Sequence, residues 1–200
     1  MLDMLFKKGI TVPYRHICNS AGIMEYPEYH QTMVRPGIVL YGCYPSEEVD
    51  KSRLPLKPVM TVKARITRIE TKPAGVSVSY GATYTTQEER KSATVSIGYA
   101  DGYFRSLSDK AYMMVHGEIA PVIGRICMDQ CMIDVSAVHT IHVGDEVTVF
   151  GNGGDGSETA TTLAEKAATI NYELLCAVGN RTPRIYIRNG EIVDVLTYLR

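Results

Sequence analysis

The sequence has no tryptophan, only three phenylalanines and an odd number of cysteines. The five cysteines are scattered, at Cys18, Cys43, Cys127, Cys131 and Cys176. An odd set at irregular spacing does not form the paired disulfide framework of small secreted proteins. We therefore expect reduced thiols and a cytoplasmic protein.

Long apolar runs and clusters of basic residues are also missing. No run approaches the ~20 residues needed to cross a bilayer. The first ten residues lack the apolar segment and cleavage site of a signal peptide. The 21 basic and 22 acidic residues leave a net charge of −1, with no basic patch to bind nucleic acid. We predict neither a membrane nor a nucleic-acid partner.

Metal-ligand spacing is incomplete around the stretch GRICMDQCMIDV, which contains Cys127 and Cys131. Zinc usually takes four ligands, often as two closely spaced pairs, and the nearest second pair is His139 and His142. On a strand the two thiols share a face, because their separation is even. We interpret them as small buried hydrophobic residues and predict no metal site.

The composition can bury a core, since 45% of the residues are hydrophobic and 22% are charged. The first 45 residues have an α/β pattern. We predict an extended segment over Gly9–Ser20, a helical stretch over Gly22–Met33 and a buried parallel strand over Val34–Gly42. A polar connector with a proline follows, and the predicted domain boundary lies between residues 48 and 49.

Beyond the connector the hydrophobic pattern has a period of two. Val59–Ile69 alternates well, and Val76–Tyr84 reads as a strand in which Gly81 indicates a bulge or a close backbone approach. Further strands are predicted at Ala93–Tyr99, Tyr112–Val115, Ala120–Ile123, Gln130–Val135, Glu146–Phe150, Arg184–Ile187 and Ile192–Val195. One helix, Thr159–Ile170, is predicted with Ser157 as its cap. Many short strands with glycine-rich turns indicate a β-sandwich or barrel-like domain.

Only a few residues suggest chemistry by themselves. Tyr80 lies in a predicted strand, where a structural tyrosine is the simpler interpretation. An ordinary phenol, with a pKa of ~10, is a poor base at neutral pH unless a cation stabilises the phenolate. Gly37 has no side chain, so an anion could approach its backbone N–H closely. That N–H and the Ser20 hydroxyl would suit a phosphate. The dipeptide Asp101-Gly102 indicates a turn.

Taken together, seven motifs carry a specific resemblance. Their order is HICNSAG, RPGIVLYG, VSYGATY, IGYADGY, GRICMDQ, INYE and RTPRIY. This series resembles the C-terminal half of the alanine racemase family, enzymes that interconvert L- and D-alanine with pyridoxal phosphate. The resemblance runs from about Gly9 to Val195. It implies the last elements of an incomplete (β/α)8 barrel over residues 1–48, followed by a mainly β domain over residues 49–200.

The resemblance implies roles for residues that would hold the cofactor. The phosphate would be bound by Ser20, the amides of Gly37 and Ile38, and the hydroxyl of Tyr172. Arg35 would face the pyridine nitrogen, with His16 as its partner. Because arginine stays protonated, it would donate to that nitrogen and limit the electron-sink strength of the ring.

The resemblance also implies a substrate site shared between two subunits of a homodimer. Tyr80 would be one of two acid/base groups on opposite faces of the amino acid, as racemisation needs. Met128, Cys127 and Asp129 would line the alanine pocket, and Tyr99 would lie at its entrance. Alanine and serine remain equally open as the preferred substrate.

The family's other base, the lysine that forms the Schiff base with the cofactor, has no counterpart here. Its motif, similar to VKANAYGHG, does not occur in the sequence. A complete barrel takes ~250 residues, so we expect this chain to be a fragment that is inactive alone and binds the cofactor weakly. Two alternatives remain: a β domain that serves as a dimerisation module, and a thiol- or metal-dependent enzyme using Cys127 and Cys131.

Overall fold

The computed structural model describes residues 2–198 and divides into two compact units. The first unit ends at Val59 and the second begins at Met60. The predicted domain boundary after residue 48 therefore lies within the first unit.

The first unit contains short helical elements, and no strand is assigned between residues 2 and 59. Its elements are helices α1 (Leu2–Lys7) and α2 (Ser20–Glu25) and 3₁₀ turns at Pro27–Tyr29, Ile38–Tyr41 and Lys51–Arg53. The side chain of Asn19 caps α2 by accepting the N–H of Gly22 at 3.0 Å. The predicted helix over Gly22–Met33 is shorter than expected, because Pro27 starts a separate turn.

The predicted parallel strand over Val34–Gly42 was wrong. Ile38–Tyr41 forms a 3₁₀ turn that ends at Gly42, whose φ of 74° is left-handed. A Cβ at Gly42 would lie 1.9 Å from the carbonyl oxygen of Lys57, so glycine is required there. A four-residue apolar run alone does not distinguish a strand from a buried helical turn.

The second unit is built from ten strands. They are β1 (Val62–Lys72), β2 (Ser77–Val78), β3 (Tyr84–Thr85), β4 (Arg90–Val95), β5 (Tyr112–Val115), β6 (Glu118–Pro121), β7 (Cys131–Asp134), β8 (Glu146–Phe150), β9 (Arg184–Arg188) and β10 (Glu191–Leu196). Six of them form an antiparallel sheet in the order β6-β5-β8-β1-β4-β7. The others pair as the hairpins β2–β3 and β9–β10.

The six-stranded sheet nearly closes into a barrel, because its two edge strands meet. Val122, just after β6, forms an antiparallel bridge with Ile133 of β7. The N–H of Ile123 donates to the carbonyl of Met132 at 2.9 Å. Closure removes exposed strand edges. The predicted mainly β, barrel-like fold is confirmed.

Apolar side chains of the strands fill the barrel interior. Val115, Ile133 and Val147 have no exposed surface, and Ile66 of β1 is 1% exposed. Strand β1 carries a register shift between Ile66 and Arg68 in its pairing with β4. Such a shift bends a long strand so that it can take part in two sides of the barrel.

The segment Val76–Tyr84 was predicted as one strand and instead forms a hairpin. Ser79, Gly81 and Ala82 have φ values of 65°, 72° and 48°, and these reverse the chain. Strand β2 then pairs with β3. The alternation correctly indicated extended backbone, but it did not reveal the turn that separates β2 from β3.

The helical region after β8 contains two helices where one was predicted over Thr159–Ile170. Helix α3 spans Ala160–Lys166 and α4 spans Asn171–Ala177. Ala168, with a φ of 60°, ends the first helix. Thr159, rather than the predicted Ser157, caps α3 by accepting the N–H of Thr162.

Between residues 2 and 198, none of the helices has the length and apolar character needed to span a bilayer.

The barrel core predicts different costs for two isoleucine truncations. Ile133→Ala removes a side chain with no exposed surface, whereas Ile119→Ala removes one that is 54% exposed on β6. The first change should lower the free energy of unfolding by about 2–5 kcal/mol, and the second by much less. Urea denaturation of both variants measures this difference. Equal losses would show that Ile133 does not belong to the core.

Candidate functional site

The turn that carries Tyr80 is strongly shaped by its backbone. The 3₁₀ turn Tyr80–Ala82 begins after Ser79, whose φ and ψ are 65° and −176°. The Ser79 hydroxyl donates to the carbonyl oxygen of Arg125 at 2.5 Å and lies 3.5 Å from the Cys127 sulfur. The Tyr80 side chain is 74% exposed. The turn therefore exposes the Tyr80 phenol, while Ser79, the residue before the turn, is anchored by its hydrogen bond.

A cation lies beside this turn. A Cβ built on Gly81 would be 2.7 Å from Nη1 of Arg125, so the guanidinium packs against the Gly81 backbone. Gly124 has a φ of 71°. A Cβ on Gly124 would lie 2.7 Å from the carbonyl oxygen of Val78 in β2, so the Gly124 backbone packs directly against that strand. The contact at Gly124 is with backbone and needs glycine, and the φ of 72° at Gly81 also favours glycine. The two contacts join the Tyr80 turn to residues 124–130, here called the Met128 loop.

The turn containing Tyr99 is hydrogen-bonded to the Met128 loop through main-chain atoms. The N–H groups of Tyr99 and Ala100 donate to the carbonyls of Cys127 and Met128, each at 3.0 Å. A Cβ at Gly98 would lie 2.3 Å from both of those carbonyl oxygens. The close approach is possible only because Gly98 has no side chain.

Arg181 ties the same two segments together from a distant part of the sequence. Its Nη2 lies 2.6 Å from Oδ1 of Asp129, and its Nε lies 3.4 Å from Oδ1 of Asp101. The hydrogen bond with Asp129, and then the charge of Asp101, raise the pKa of the Arg181 guanidinium. Asp101 also accepts the N–H of Gly98 at 3.0 Å. One guanidinium thus links the Tyr99 turn and the Met128 loop.

The Met128 loop is itself fixed to the barrel domain. Gly124 N–H donates to Oδ1 of Asp109 at 2.6 Å, and Ile126 N–H donates to the Ser108 hydroxyl at 3.0 Å. Ile126 is buried. The carbonyl of Arg125 lies between these two anchors, so it is a fixed acceptor for Ser79.

Within the second unit, the structure brings together most of the predicted substrate residues. Tyr80, Tyr99, Cys127, Met128 and Asp129 lie on three connected segments. Tyr99 is 43% exposed and Met128 is 52% exposed, so both are accessible. This arrangement can present a phenol, a thioether and a carboxylate to a small molecule bound outside the unit.

Tyr172 lies on a helix that supports the Tyr99 turn. It is the second residue of α4 and is partly exposed. At the far end of α4, the carbonyl of Ala177 would be 2.4 Å from a Cβ on Gly102, whose φ is 98°. Helix α4 therefore packs closely on the backbone that follows Asp101.

In the first unit, the predicted phosphate ligands form a small donor group. Gly37 N–H donates to the Ser20 hydroxyl oxygen at 3.0 Å, which leaves the hydroxyl hydrogen free to donate elsewhere. Ile38 follows directly and is buried. A hydroxyl and backbone amides are donors that a phosphate prefers. These residues fit the phosphate of a cofactor.

Arg35 and His16 are both exposed. The Arg35 guanidinium donates to the carbonyl of Ile17 at 3.1 Å, and its backbone N–H donates to the carbonyl of Cys18 at 2.9 Å. These bonds hold Arg35 beside the segment that leads to Ser20. The cation and the phosphate donors are therefore neighbours in one unit.

Cys127 and Cys131 do not belong to a cluster of metal-ligating side chains between residues 2 and 198. No group of three or more His, Cys, Asp or Glu side chains within the part of the chain described, residues 2–198, could hold a metal ion. Cys131 is completely buried, and this burial raises the pKa of its thiol. All five cysteines are free.

Four residues that hold the site were not predicted to have a role. Ser79, Asp101, Arg125 and Arg181 contact the predicted residues through backbone atoms or ion pairs. Each of the four lies in one of the quoted motifs, which are VSYGATY, IGYADGY, GRICMDQ and RTPRIY. The partners of Arg181 are far away in sequence, so no local pattern reveals its contacts.

Family models match most of the chain. Residues 59–186 match the model described as "Alanine racemase, C-terminal domain", and residues 1–45 match "Alanine racemase, N-terminal domain". The chain is 51% identical over 195 residues to "Alanine racemase 1" of Clostridium acetobutylicum, covering 98% of this chain and 50% of that protein. It is 52% identical over 188 residues to the alanine racemase of Desulforamulus reducens, covering 94% and 50%.

Solved structures show the same relationship. The alanine racemase of Clostridium difficile 630 in complex with cycloserine has a TM-score of 0.92 and 44% identity, covering 99% of this chain and 52% of that one. The Bacillus anthracis enzyme with bound L-Ala-P has a TM-score of 0.89 and 38% identity, covering 98% and 50%. The chain therefore spans about half the length of the relatives it matches.

The close approach at Gly98 predicts a specific loss of stability. Gly98→Ala should force the Tyr99 turn away from the carbonyls of Cys127 and Met128, because backbone φ at Gly98 is already extended and only the clash matters. We expect unfolding to become easier by about 1–3 kcal/mol.

The matched control for this change is Gly179→Ala. At Gly179 the nearest atom to a new Cβ is 3.9 Å away, so stability should hold or rise slightly. Chemical denaturation compares the two variants. Equal stability of Gly98→Ala and the unmodified chain would contradict the described packing.

Proposed function

This chain belongs to the alanine racemase family, and we propose that it forms part of an enzyme that interconverts L-alanine and D-alanine with pyridoxal phosphate. The observation that carries this proposal is the exposed Tyr80 phenol on a turn that is anchored to the Met128 loop. The five free thiols fit a cytoplasmic setting.

Tyr80 is the proposed acid/base group for one face of alanine. Racemisation removes the α-proton from one face and returns a proton to the other, so a group is needed on each side. The phenolic oxygen of Tyr80 accepts or delivers the proton on its side. The Arg125 guanidinium packs against the backbone of Gly81, the residue that follows Tyr80.

The group for the other face is proposed to be a lysine supplied outside these 200 residues. The motif that carries it in the family does not occur in this sequence. We therefore propose that the 200-residue polypeptide alone has no racemase activity and binds the cofactor weakly.

The cofactor is proposed to be held mainly by the first unit. Ser20 and Ile38 are proposed to donate to the phosphate, with the Tyr172 hydroxyl as a further donor. The Gly37 N–H is also proposed as a donor, and in this structure it donates to the Ser20 hydroxyl oxygen. Arg35 is proposed to face the pyridine nitrogen. When bound, pyridoxal phosphate delocalises the charge left at the α-carbon after proton removal. A permanently protonated arginine limits that delocalisation and so disfavours competing reactions such as transamination.

The substrate pocket is proposed to be completed across a homodimer. Tyr80, Tyr99 and Met128 are exposed at 74%, 43% and 52%, and are available to a second chain. Cys127 and Asp129 flank Met128, and Arg181 holds the carboxylate of Asp129 in place. These residues shape the pocket for the small side chain of alanine.

Activity can be tested with the chain alone and with a chimera. We expect no turnover of L-alanine by the 200-residue chain with added pyridoxal phosphate. Fusing it to the remaining half of the C. difficile relative should restore racemisation, because that half brings the missing lysine. In the chimera, Tyr80→Phe should lower turnover by about 10²–10⁴-fold.

Tyr84→Phe is the matched control, since Tyr84 lies on the same hairpin in strand β3 and has no proposed role. Its chimera should keep its rate. Turnover by the isolated chain, or equal rates for the two phenylalanine variants, would refute the proposed roles.

Association can be measured by sedimentation velocity at several concentrations of the 200-residue chain. We expect a concentration-dependent dimer that Met128→Asp weakens, because the change places a charge on the proposed contact surface. Ile119→Asp alters an equally exposed apolar residue on β6, 54% against 52%, and should leave association unchanged. A monomer at every concentration would contradict the shared pocket.

A further inference from the structure

Ser79 has a backbone conformation that residues with side chains rarely adopt. Its φ of 65° and ψ of −176° lie in a region occupied essentially by glycine alone. Such strain persists only where surrounding contacts over-determine it, and it clusters at functional sites. Glycine would suit this position better on backbone grounds. The serine side chain must therefore contribute something that glycine lacks.

We propose that Ser79 is a positioning residue that holds Tyr80 in its outward orientation by tying the strained turn to the carbonyl of Arg125. The tie is the 2.5 Å hydrogen bond from the Ser79 hydroxyl. This proposal rests on the acid/base role proposed for Tyr80 and adds the residue that sets the direction of the phenol.

The change of direction at Ser79 explains why the next side chain is exposed. Val78, the last residue of β2, is 2% exposed and directed into the domain. The positive φ of Ser79 turns the chain, and Tyr80 emerges with most of its surface accessible. A relaxed, extended Ser79 would continue the strand and change the direction of Tyr80.

The acceptor of the tie is fixed, which makes it suitable for positioning. Arg125 lies between Gly124 and Ile126, whose N–H groups bond to Asp109 and Ser108. The hydroxyl of Ser79 also lies 3.5 Å from the sulfur of Cys127. The Tyr80 turn and the Met128 loop are thereby held at a constant spacing, so the phenol and the proposed substrate pocket are set together.

Ser79→Gly separates positioning from ordinary structural support. Glycine accepts the backbone conformation but cannot make the tie, so the variant should fold with a melting temperature close to that of the unmodified chain. In the ¹⁵N-labelled 200-residue chain, the Tyr80 amide should be as rigid as the barrel strands. In Ser79→Gly its heteronuclear NOE should fall.

The active chimera gives the second readout. Ser79→Gly should lower kcat on the order of 10- to 100-fold, since small displacements of a reacting group have such effects, with a much smaller change in KM. Ser77→Ala is the matched control. It removes another hydroxyl of the same hairpin, which lies 3.3 Å from Thr85 Oγ1, and should change neither quantity.

The outcomes are distinct. A mobile Tyr80 amide in the unmodified chain, or a Ser79→Gly variant with unchanged NOE and full kcat, would overturn the positioning role. If Ser79→Gly does not fold, Ser79→Ala is measured by the same two readouts with the same criteria. A chimera that is inactive without any substitution would refute the proposed function, while the NMR result would still decide whether Ser79 orders Tyr80.

Discussion

The site depends on one close approach between two stretches of backbone. Gly98 lies so near the carbonyls of Cys127 and Met128 that no side chain fits between them. The two hydrogen bonds from Tyr99 and Ala100 follow from that approach. This contact brings the Tyr99 turn and the Met128 loop together, although they lie about thirty positions apart in sequence. The barrel then serves as a rigid base for this contact.

Around this contact, polar side chains connect loops that the strands leave independent. Arg181 joins Asp101 to Asp129, and Ser79 joins the Tyr80 turn to Arg125. Exposed ion pairs contribute little to overall stability, so their main effect here is on local geometry. The buried core supplies the stability that tolerates several non-glycine residues at positive φ. The buried core thus stabilises the fold, whereas the ion pairs of Arg181 and the hydrogen bond of Ser79 set the positions of the surface loops.

Two strands next to clear turn signals were predicted to the residue. β5 (Tyr112–Val115) and β8 (Glu146–Phe150) have the predicted bounds; the turn residues His116-Gly117 follow β5 and Gly144-Asp145 precede β8. The segment Val76–Tyr84 was misjudged because alternation says nothing about backbone φ at Ser79. The helical region failed in a similar way, since the left-handed conformation of Ala168 has no sequence signature.

The candidate site was found through seven motifs in order, and Tyr80 alone would have read as a structural tyrosine. The motifs pointed to the residues that are proposed to face the substrate. They did not identify the contacts that hold these residues, because the Arg181–Asp101 pair spans 80 positions and the Ser79 tie ends on a main-chain carbonyl. Every residue has a backbone carbonyl, so the sequence does not show which carbonyl accepts a side-chain hydrogen bond.

The central claim is that the Tyr80 phenol moves a proton on one face of alanine only. The most direct measurement is exchange of the α-proton with D₂O, followed separately for L- and D-alanine in the active chimera carrying Tyr80→Phe. We predict that exchange is lost for one enantiomer and kept for the other, because the lysine still serves the opposite face. Undiminished exchange from both enantiomers, or an equal loss from both, would contradict this account.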